Sequence, residues 1–269
     1  MSENMKKTVV ITGASSGIGR ETAQLFARNG DTIYDLSRSD KPLDGVTHIY
    51  CDVTKPQSIA EAFQTIGKSH SHIDILILCA GMGIAGSIEH TSEEEMRRQF
   101  DVNTFGPIRV LQCALPLMRQ GELTRGERGR VVFVSSMAAV FGIPFQAMYS
   151  ATKAAINSFA FALRNELHSQ HISVTVVMPG DVKTNFKRTT SPLGSDIYPQ
   201  MSKAISQMEH DEASGLTALS VARKVYRAAT RKRPSLFYTS DLTSDLECLL
   251  QRLLPTSIAL YVVRKLYHC

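Results

Sequence analysis

Tyr149 and Lys153 stand four positions apart in the stretch YSATK. On a helix, side chains at i and i+4 share a face and can act on one object. The pair is then either an ordinary polar couple on a surface turn or a phenol held beside a fixed ammonium, an arrangement suited to giving and taking a proton. A second stretch capable of chemistry is TGASSGIG, Thr12 to Gly19, which continues the apolar run TVVIT without a break. Its glycines at 13, 17 and 19 do not complete G-x-G-x-x-G, because Thr22 occupies the last place. The physical demand is nonetheless shared: a tight turn, a backbone close to a diphosphate, and a helix N-terminus aiming amides at the anion. Alone, the stretch reads equally as a plain glycine-rich turn; the strand before it and the helical pattern after it favour the cradle.

Both motifs need elements to hold them, and apolar runs alternate with helix-period segments along the chain. TVVIT (8–12), TIYDLS (32–37), HIYCDV (48–53), DILILC (74–79), VVFVSS (131–136) and SVTVVMPG (173–180) read as strands. Helices are expected over Gly17 to Asn29, Gln57 to Lys68, 91–118 and 148–168. The third opens on Thr91-Ser92 with Glu93, Glu94 and Glu95 behind it, a capping box whose carboxylates favour a helix N-terminus. Residues 119–130 form a polar, glycine-punctuated loop. From 181 to 215 the alternation fades, and one helix, a short strand near SLFYTS and an amphipathic tail follow. No Pro/Ser-rich linker and no internal repeat divides residues 1–269, which therefore make one α/β domain, with 185–215 as a substrate-loop region and 241–269 as a helical tail. Repeated strand–helix units imply right-handed crossovers and a doubly wound parallel sheet. Ligands of such sheets sit beyond the carboxyl ends of the strands.

Composition excludes several classes. The chain has 269 residues, 43% of them hydrophobic, enough for one large core. Its net charge is only +5, and in the clearest basic cluster, Arg223, Lys224, Arg227, Arg231, Lys232 and Arg233, positions 223, 224, 227 and 231 follow helical spacing, with Tyr226 the single aromatic among them rather than a stacking series. That is the solvated face of a helix rather than a nucleic-acid interface. Cys51, Cys79, Cys113, Cys248 and Cys269 are odd in number, scattered and without a C-x-x-C pair, as in a reducing compartment. The eight histidines show no ligand spacing, so no metal is expected. The N-terminus carries no secretory signal and no apolar run suits a membrane span, which makes a cytoplasmic protein the expectation.

TGASSGIG, NTFG (103–106), Ser135-Ser136, YSATK and PGDVKT (179–184) come in an order and spacing that resemble those of the short-chain dehydrogenase/reductase superfamily, over Lys7 to Thr184. The resemblance implies a Rossmann-type domain with a seven-stranded parallel sheet and an NAD(P)-dependent enzyme. Such an enzyme moves a hydride between nicotinamide and a carbonyl or secondary alcohol carbon. A free phenol, with pKa about 10, is a poor base near neutrality; a close ammonium favours the phenolate. By resemblance Tyr149 is the acid/base, and Lys153 depresses its pKa and binds the nicotinamide ribose. Ser136, thirteen residues before Tyr149, holds the substrate oxygen; Ser135 would face the other way on a strand. Asn103 matches the asparagine whose kinked helix keeps a water between the lysine and solvent.

The same resemblance puts Gly13, Ser15, Ser16, Gly17, Ile18 and Gly19 at the dinucleotide and Asp52 and Val53 near the adenine. Ala80-Gly81 match the end of an N-N-A-G motif; Leu78 and Cys79 depart from its first half, which weakens the hydrogen bonds expected there. Pro179, Gly180, Val182 and Thr184 match the segment that positions the carboxamide. At the end of the second strand, Ser37 stands where NAD-preferring members carry an acid, and Arg38 follows. A serine removes the repulsion of a 2′-phosphate and an arginine supplies a fork for it, which favours NADP(H). Asp35, on the same strand face, leaves NAD(H) possible, and Ser16 fills a position where a basic residue would mark NADP.

MAAVFGIPFQAM (137–148) links Ser136 to Tyr149, and Met137, Phe141, Ile143 and Phe145 would make the substrate pocket apolar. This stretch and the tail resemble those of hydroxysteroid and retinol dehydrogenases, so a lipophilic ketone or alcohol is expected. The tail (246–267) reads as packing over the cleft or a subunit contact, in preference to peripheral membrane attachment through its leucines and Arg252, Arg264 and Lys265. Pairing through the two long helices, to a homodimer or homotetramer, is implied. The competing classes are a non-catalytic dinucleotide sensor and a membrane-surface scaffold; neither requires Asn103, Ser136, Tyr149 and Lys153 together.

Overall fold

All five residues of TVVIT are buried, because β1 (Thr8–Thr12) runs through the middle of a sheet covered on both sides. The computed structural model describes residues 6–269 except Arg125, Asn185, Lys187 and Pro192. The main sheet comprises β1, β2 (Thr32–Ser37), β3 (Val46–Tyr50), β4 (Ile75–Leu78), β5 (Gly129–Val134), β6 (Ile172–Met178) and β7 (Phe237–Thr239). All pairings are parallel, in the order β7-β6-β5-β4-β1-β2-β3. The order reverses between β1 and β4, which opens a crevice at the carboxyl ends.

Alternating strand residues face opposite layers. Val10, Leu76, Leu78, Val131 and Phe133 pack against α2 (Pro56–Ser69), α4 (Gly106–Arg119) and α5 (Ala147–Glu166). Val9, Ile11, Ile75, Ile77 and Val132 meet the other layer, α1 (Gly17–Arg28) and α7 (Ala218–Thr230), through Ala23, Phe26, Val225 and Ala228. Arg223 and Arg227 of α7 are exposed, as a solvated helix face should be.

Between these lie α3 (Glu93–Phe100) and α6 (Met201–Ser214), and α8 (Leu242–Leu253) and α9 (Thr256–Leu266) close the chain. Two short parallel ladders join the loops above the sheet, Gly83–Ala85 with Arg188–Thr190 and Val182–Lys183 with Leu216–Thr217.

Several sequence expectations are corrected here. HIYCDV is a strand only to Tyr50: Asp52 Oδ1 accepts from the Thr54 amide at 2.9 Å and its hydroxyl at 2.8 Å, a turn that carries residues 51–53 out over the crevice. VVFVSS likewise ends at Val134, leaving both serines beyond the strand. The helix expected over 91–118 is three pieces. The capping box is present, with Ser92 Oγ accepting from the Glu95 amide (3.2 Å) and Glu95 Oε2 from the Ser92 amide (2.9 Å). A π-helical turn, Asp101–Phe105, then separates α3 from α4. The helix Met201–Ser214 is the largest omission. Met201, Ala204, Ile205 and Met208 form a buried i, i+3, i+4, i+7 stripe, which the surrounding Ser, Thr and charge obscure in the sequence.

Candidate active site

The turn after β1 is held from beneath. The Gly13 amide donates to the Leu36 carbonyl (2.9 Å), and the Ala14 amide donates to Asp35 Oδ1 (2.8 Å). Asp35 is buried and also accepts from Ser37 Oγ (2.7 Å), with His48 Nδ1 at 3.2 Å. Its carboxylate is thus engaged inside the protein, under the loop. Gly17 has φ +55° and Gly13 φ +77°, and a Cβ at position 19 would lie 2.4 Å from the Gly13 carbonyl oxygen. Only glycine fits where the helix starts against the turn. Ser16 stands at the N-cap of α1 with extended backbone and makes no side-chain cap hydrogen bond, so the helix N-terminus opens on the crevice without a side-chain cap. An uncapped N-terminus behind a glycine turn fits a diphosphate.

Above this cradle is a cleft of about 830 Å³. Gly13, Ser15, Ser16, Gly17, Ile18 and Gly19 line it, as do Ser37, Arg38, Asp52, Val53, Ala80 and Gly81. Pro179, Gly180, Val182 and Thr184 close one side, and Ser136, Met137, Phe141, Ile143, Tyr149 and Lys153 another. Phe145 does not reach the cleft. Its backbone is left-handed (φ 59°), and its ring turns to Tyr198, 6.0 Å between centroids, beside Ala85, Met201 and Ile205. At Leu78-Cys79 the Thr12 hydroxyl accepts from the amides of Cys79 (3.0 Å) and Ala80 (3.1 Å), which ties the ends of β1 and β4 together without the side chains at 78 and 79.

One turn of α5 presents Tyr149 and Lys153 to the cleft. Lys153 is buried and its Nζ donates to the Val134 carbonyl at 3.1 Å, 5.7 Å from the centre of the Tyr149 ring. Ser136 lies two residues after β5, where its Oγ accepts from the Ala138 amide at 3.1 Å. Ser135 is turned away, its Oγ donating to the Lys153 carbonyl at 3.2 Å. Asn103 lies behind the cleft wall in the π turn, fully buried. Its Oδ1 accepts from the Met82 amide (2.8 Å), and its Nδ2 donates to the Met82 carbonyl (2.8 Å) and Thr152 Oγ1 (3.2 Å). A Cβ placed on Gly81 would be 3.5 Å from Asn103 Oδ1 and 3.7 Å from Lys153 Nζ, so that glycine keeps the space between them open.

The electrostatics differ from the expectation that Lys153 depresses the phenol. Burial pushes Tyr149 up to about 12, against the pull of the Ser136 hydroxyl and then the Arg188 guanidinium. Burial also brings Lys153 down to about 8. Loss of hydration outweighs the attraction because the ammonium is itself desolvated and turned to the Val134 carbonyl. Burial thus favours the neutral phenol near neutrality.

Sequence reasoning missed a second charged group beside Tyr149. Arg188 forms a two-pronged ion pair with Glu212 of α6, Nη1 donating to Oε2 at 2.8 Å and Nη2 to Oε1. With its amide oxygen facing the guanidinium, Gln146 accepts from Arg188 Nε at 2.7 Å and Nη2 at 3.2 Å. All three line the cleft, with Asp181, Asp211 and Phe186, whose ring is 6.2 Å from that of Tyr149. Arg188 falls in a segment without periodicity and Glu212 in the helix the sequence hides, so no motif signalled them. Asp181 is held above the usual carboxylate range by burial and then by Asp211.

The tail folds over this end. Glu247, Leu250, Leu254, Val262, Leu266 and Tyr267 line the cleft from α8, α9 and the residue after each. Among the described residues no group of three or more His, Cys, Asp and Glu is placed to hold a metal, and no helix is long and apolar enough to cross a membrane.

A family model for short chain dehydrogenases matches residues 7–192. The chain is 35% identical over 232 residues to a 3-ketodihydrosphingosine reductase of Bacteroides thetaiotaomicron, covering 84% of each. It is 31% identical over 251 residues to the dehydrogenase/reductase SDR family member 7B of Rattus norvegicus, covering 87% of this chain and 74% of that one. Among solved structures, a short-chain dehydrogenase from Streptomyces avermitilis matches with a TM-score of 0.80 at 26% identity, over 96% of both chains. By the family match and these relatives, this chain belongs to the short-chain dehydrogenase family and is an oxidoreductase.

Proposed function

We propose that the protein is an NADP(H)-dependent reductase of ketones borne on long apolar molecules. The observation that carries this reading is geometric: the Tyr149 phenol, its pKa raised by burial, shares an apolar-walled cleft with Ser136 and with an uncapped helix N-terminus. When bound, a nicotinamide dinucleotide supplies the hydride. The residues of this chain do the rest: the α1 amides hold the diphosphate, Ser136 donates a hydrogen bond to the ketone oxygen, and Tyr149 gives that oxygen its proton. Lys153 restores charge balance as the phenolate forms, and Asn103 fixes the π turn against the Tyr149–Lys153 turn through Thr152.

NADP(H) is favoured because nothing acidic at the adenosine end faces the cleft from the second strand. Asp35 is engaged under the loop, and Ser37 and Arg38 line the cleft in its place. Arg38→Leu should then raise the KM for NADPH roughly 10- to 100-fold, the loss of one charge-assisted contact to a phosphate, while leaving NADH nearly unaffected. Equal effects on both dinucleotides in initial-rate assays would show that Arg38 does not read the 2′-phosphate, and NAD(H) would become the preferred cofactor.

Met137, Phe141, Ile143, Leu250, Leu254 and Val262 supply apolar walls, and the 3-ketodihydrosphingosine named for the 35% identical relative is a ketone on such a chain. Asp181, Asp211, Glu212 and Glu247 outnumber Arg188 on the substrate side, which favours a cationic amino group near the carbonyl. The test is an initial-rate panel with NADPH: a long-chain amino ketone, its N-acetylated form, a steroid ketone and a reducing sugar. Turnover should be highest on the first and at least about tenfold lower once the amine is acylated, the scale of one lost charge-assisted contact. Activity confined to the sugar would overturn the substrate class.

The Arg188–Glu212 pair carries a signed prediction. Arg188 draws the Tyr149 pKa down and Glu212 pushes it up. In initial-rate profiles, Glu212→Gln should move the alkaline limb of ketone reduction to lower pH and Arg188→Met should move it to higher pH. Shifts of one sign in both variants would mean that the pair only props the loop. Pairing of two copies through α4 and α5 is part of the same reading, supported by exposed Phe105 and Phe159.

A further inference from the structure

Helix α8 is built inside out. Leu242, Leu246, Leu249 and Leu253 recur at i, i+4, i+7 and i+11, the spacing of one helix face, and they are 85%, 54%, 52% and 70% exposed. The side packed on the protein carries buried Ser244 and part-buried Cys248 and Gln251. An ordinary surface helix points its apolar stripe inward, and contiguous exposed leucines mark a surface that something apolar covers. The following helix continues the patch with Ile258, Leu260, Tyr261, Val262 and Leu266, all exposed.

Two further observations identify the partner. First, the only charged residues of α9 are the cations Arg264 and Lys265, both exposed and near its end. Arg264 Cζ and Lys265 Nζ each stand 5.6 Å from the ring centre of exposed Tyr261. Leucines with an aromatic and cations at the rim match the boundary between acyl chains and anionic headgroups. Second, Leu250, Leu254, Val262 and Leu266 are exposed and at the same time line the cleft. The apolar patch is therefore continuous with the wall of the substrate cavity.

We infer that the outer face of α8 and α9 docks on the surface of a lipid bilayer carrying anionic headgroups and opens the cleft towards its acyl chains. No described helix is long and apolar enough to cross, and α8 and α9 have 12 and 11 residues, so the tail is placed in the interface. The inference goes beyond the proposed reaction, and its test uses no substrate, so the two fail separately.

The full-length protein is sedimented with sucrose-loaded vesicles of phosphatidylcholine alone and of phosphatidylcholine mixed with phosphatidylglycerol. At low salt the mixed vesicles should pellet at least about tenfold more protein, and added salt should reduce the difference. Leu246→Ser/Leu253→Ser, neither of which lines the cleft, should lower binding to mixed vesicles about tenfold or more. Arg264→Gln/Lys265→Gln should lower it roughly 10- to 30-fold, the scale of two basic residues near such a surface. Far-UV circular dichroism shows whether each variant is folded; if the serine variant is not, the glutamine variant and the salt series decide. Equal sedimentation of the wild type with both vesicle types, or of the wild type and the folded variants with mixed vesicles, overturns the inference. So does a wild-type dimer in size-exclusion chromatography that Leu246→Ser/Leu253→Ser converts to monomer without any vesicle binding, which would assign the patch to a second copy of the chain.

Discussion

Tyr149→Phe should reduce ketone turnover roughly 10²- to 10⁴-fold, the range of a lost positioned proton donor, with dinucleotide binding unchanged. The phenol shares the cleft with Ser136, and its ring centre lies 5.7 Å from Lys153 Nζ. The ring that phenylalanine retains keeps the packing against Phe186, centroids 6.2 Å apart. The diphosphate cradle lies on a different element, the start of α1, so a fluorescence titration with NADPH should give the wild-type Kd. The loss should appear in kcat rather than in KM, because the proton is needed only as charge develops on the substrate oxygen. A parallel loss of dinucleotide binding would mean that the tyrosine is chiefly structural.

Lys153→Met should have the second-largest effect, and in two opposite directions. Activity should fall on the order of 10²-fold, since the cation that stabilises the forming phenolate is gone. Stability of the ligand-free protein should rise. The ammonium is buried with one carbonyl as acceptor, and its pKa falls from 10.5 to about 8 on folding. A base whose folded pKa lies below its unfolded value opposes folding: the cost is complete below about pH 8 and fades as pH rises towards 10.5. After allowing for the lost bond to the Val134 carbonyl, methionine should gain about 1–2 kcal/mol near neutrality. That corresponds to roughly 2–8 °C in Tm for a chain of this size, and the gain should vanish above the unfolded pKa. Thermal melts at pH 7 and pH 10.5 read both arms, and a variant less stable than wild type at pH 7 would refute the buried-charge argument.

How far the sequence reached depended on whether the signal was local. TVVIT, the glycine turn, the Ser92–Glu95 box and the Tyr149–Lys153 spacing are all written within a few residues, and the structure contains each of them. For the tail, the sequence left packing over the cleft and a subunit contact both open, and its residues line the cleft. What failed was non-local. Asp35 looked free to meet a ribose until its three partners, the Ala14 amide, Ser37 and His48, were placed around it. Phe145 looked like pocket lining because its neighbours in sequence are, but a left-handed backbone carries its ring to the other side. Arg188 meets Glu212 and Gln146 across 24 and 42 positions of chain, a distance no motif spans. The electrostatic expectation failed for a different reason. A neighbouring cation was credited with lowering the phenol's pKa, whereas burial acts on both groups and outweighs it.

The central claim is that Tyr149 works as a neutral acid towards a ketone oxygen. Its most direct test is the pH dependence of single-turnover ketone reduction by the wild-type enzyme saturated with NADPH. The rate should be level through neutrality and fall only on the alkaline side, as Lys153 and then the phenol lose their protons. Oxidation of the product alcohol, which needs the phenolate, should rise over the same span. A reduction rate that climbs with pH through that range would contradict the account.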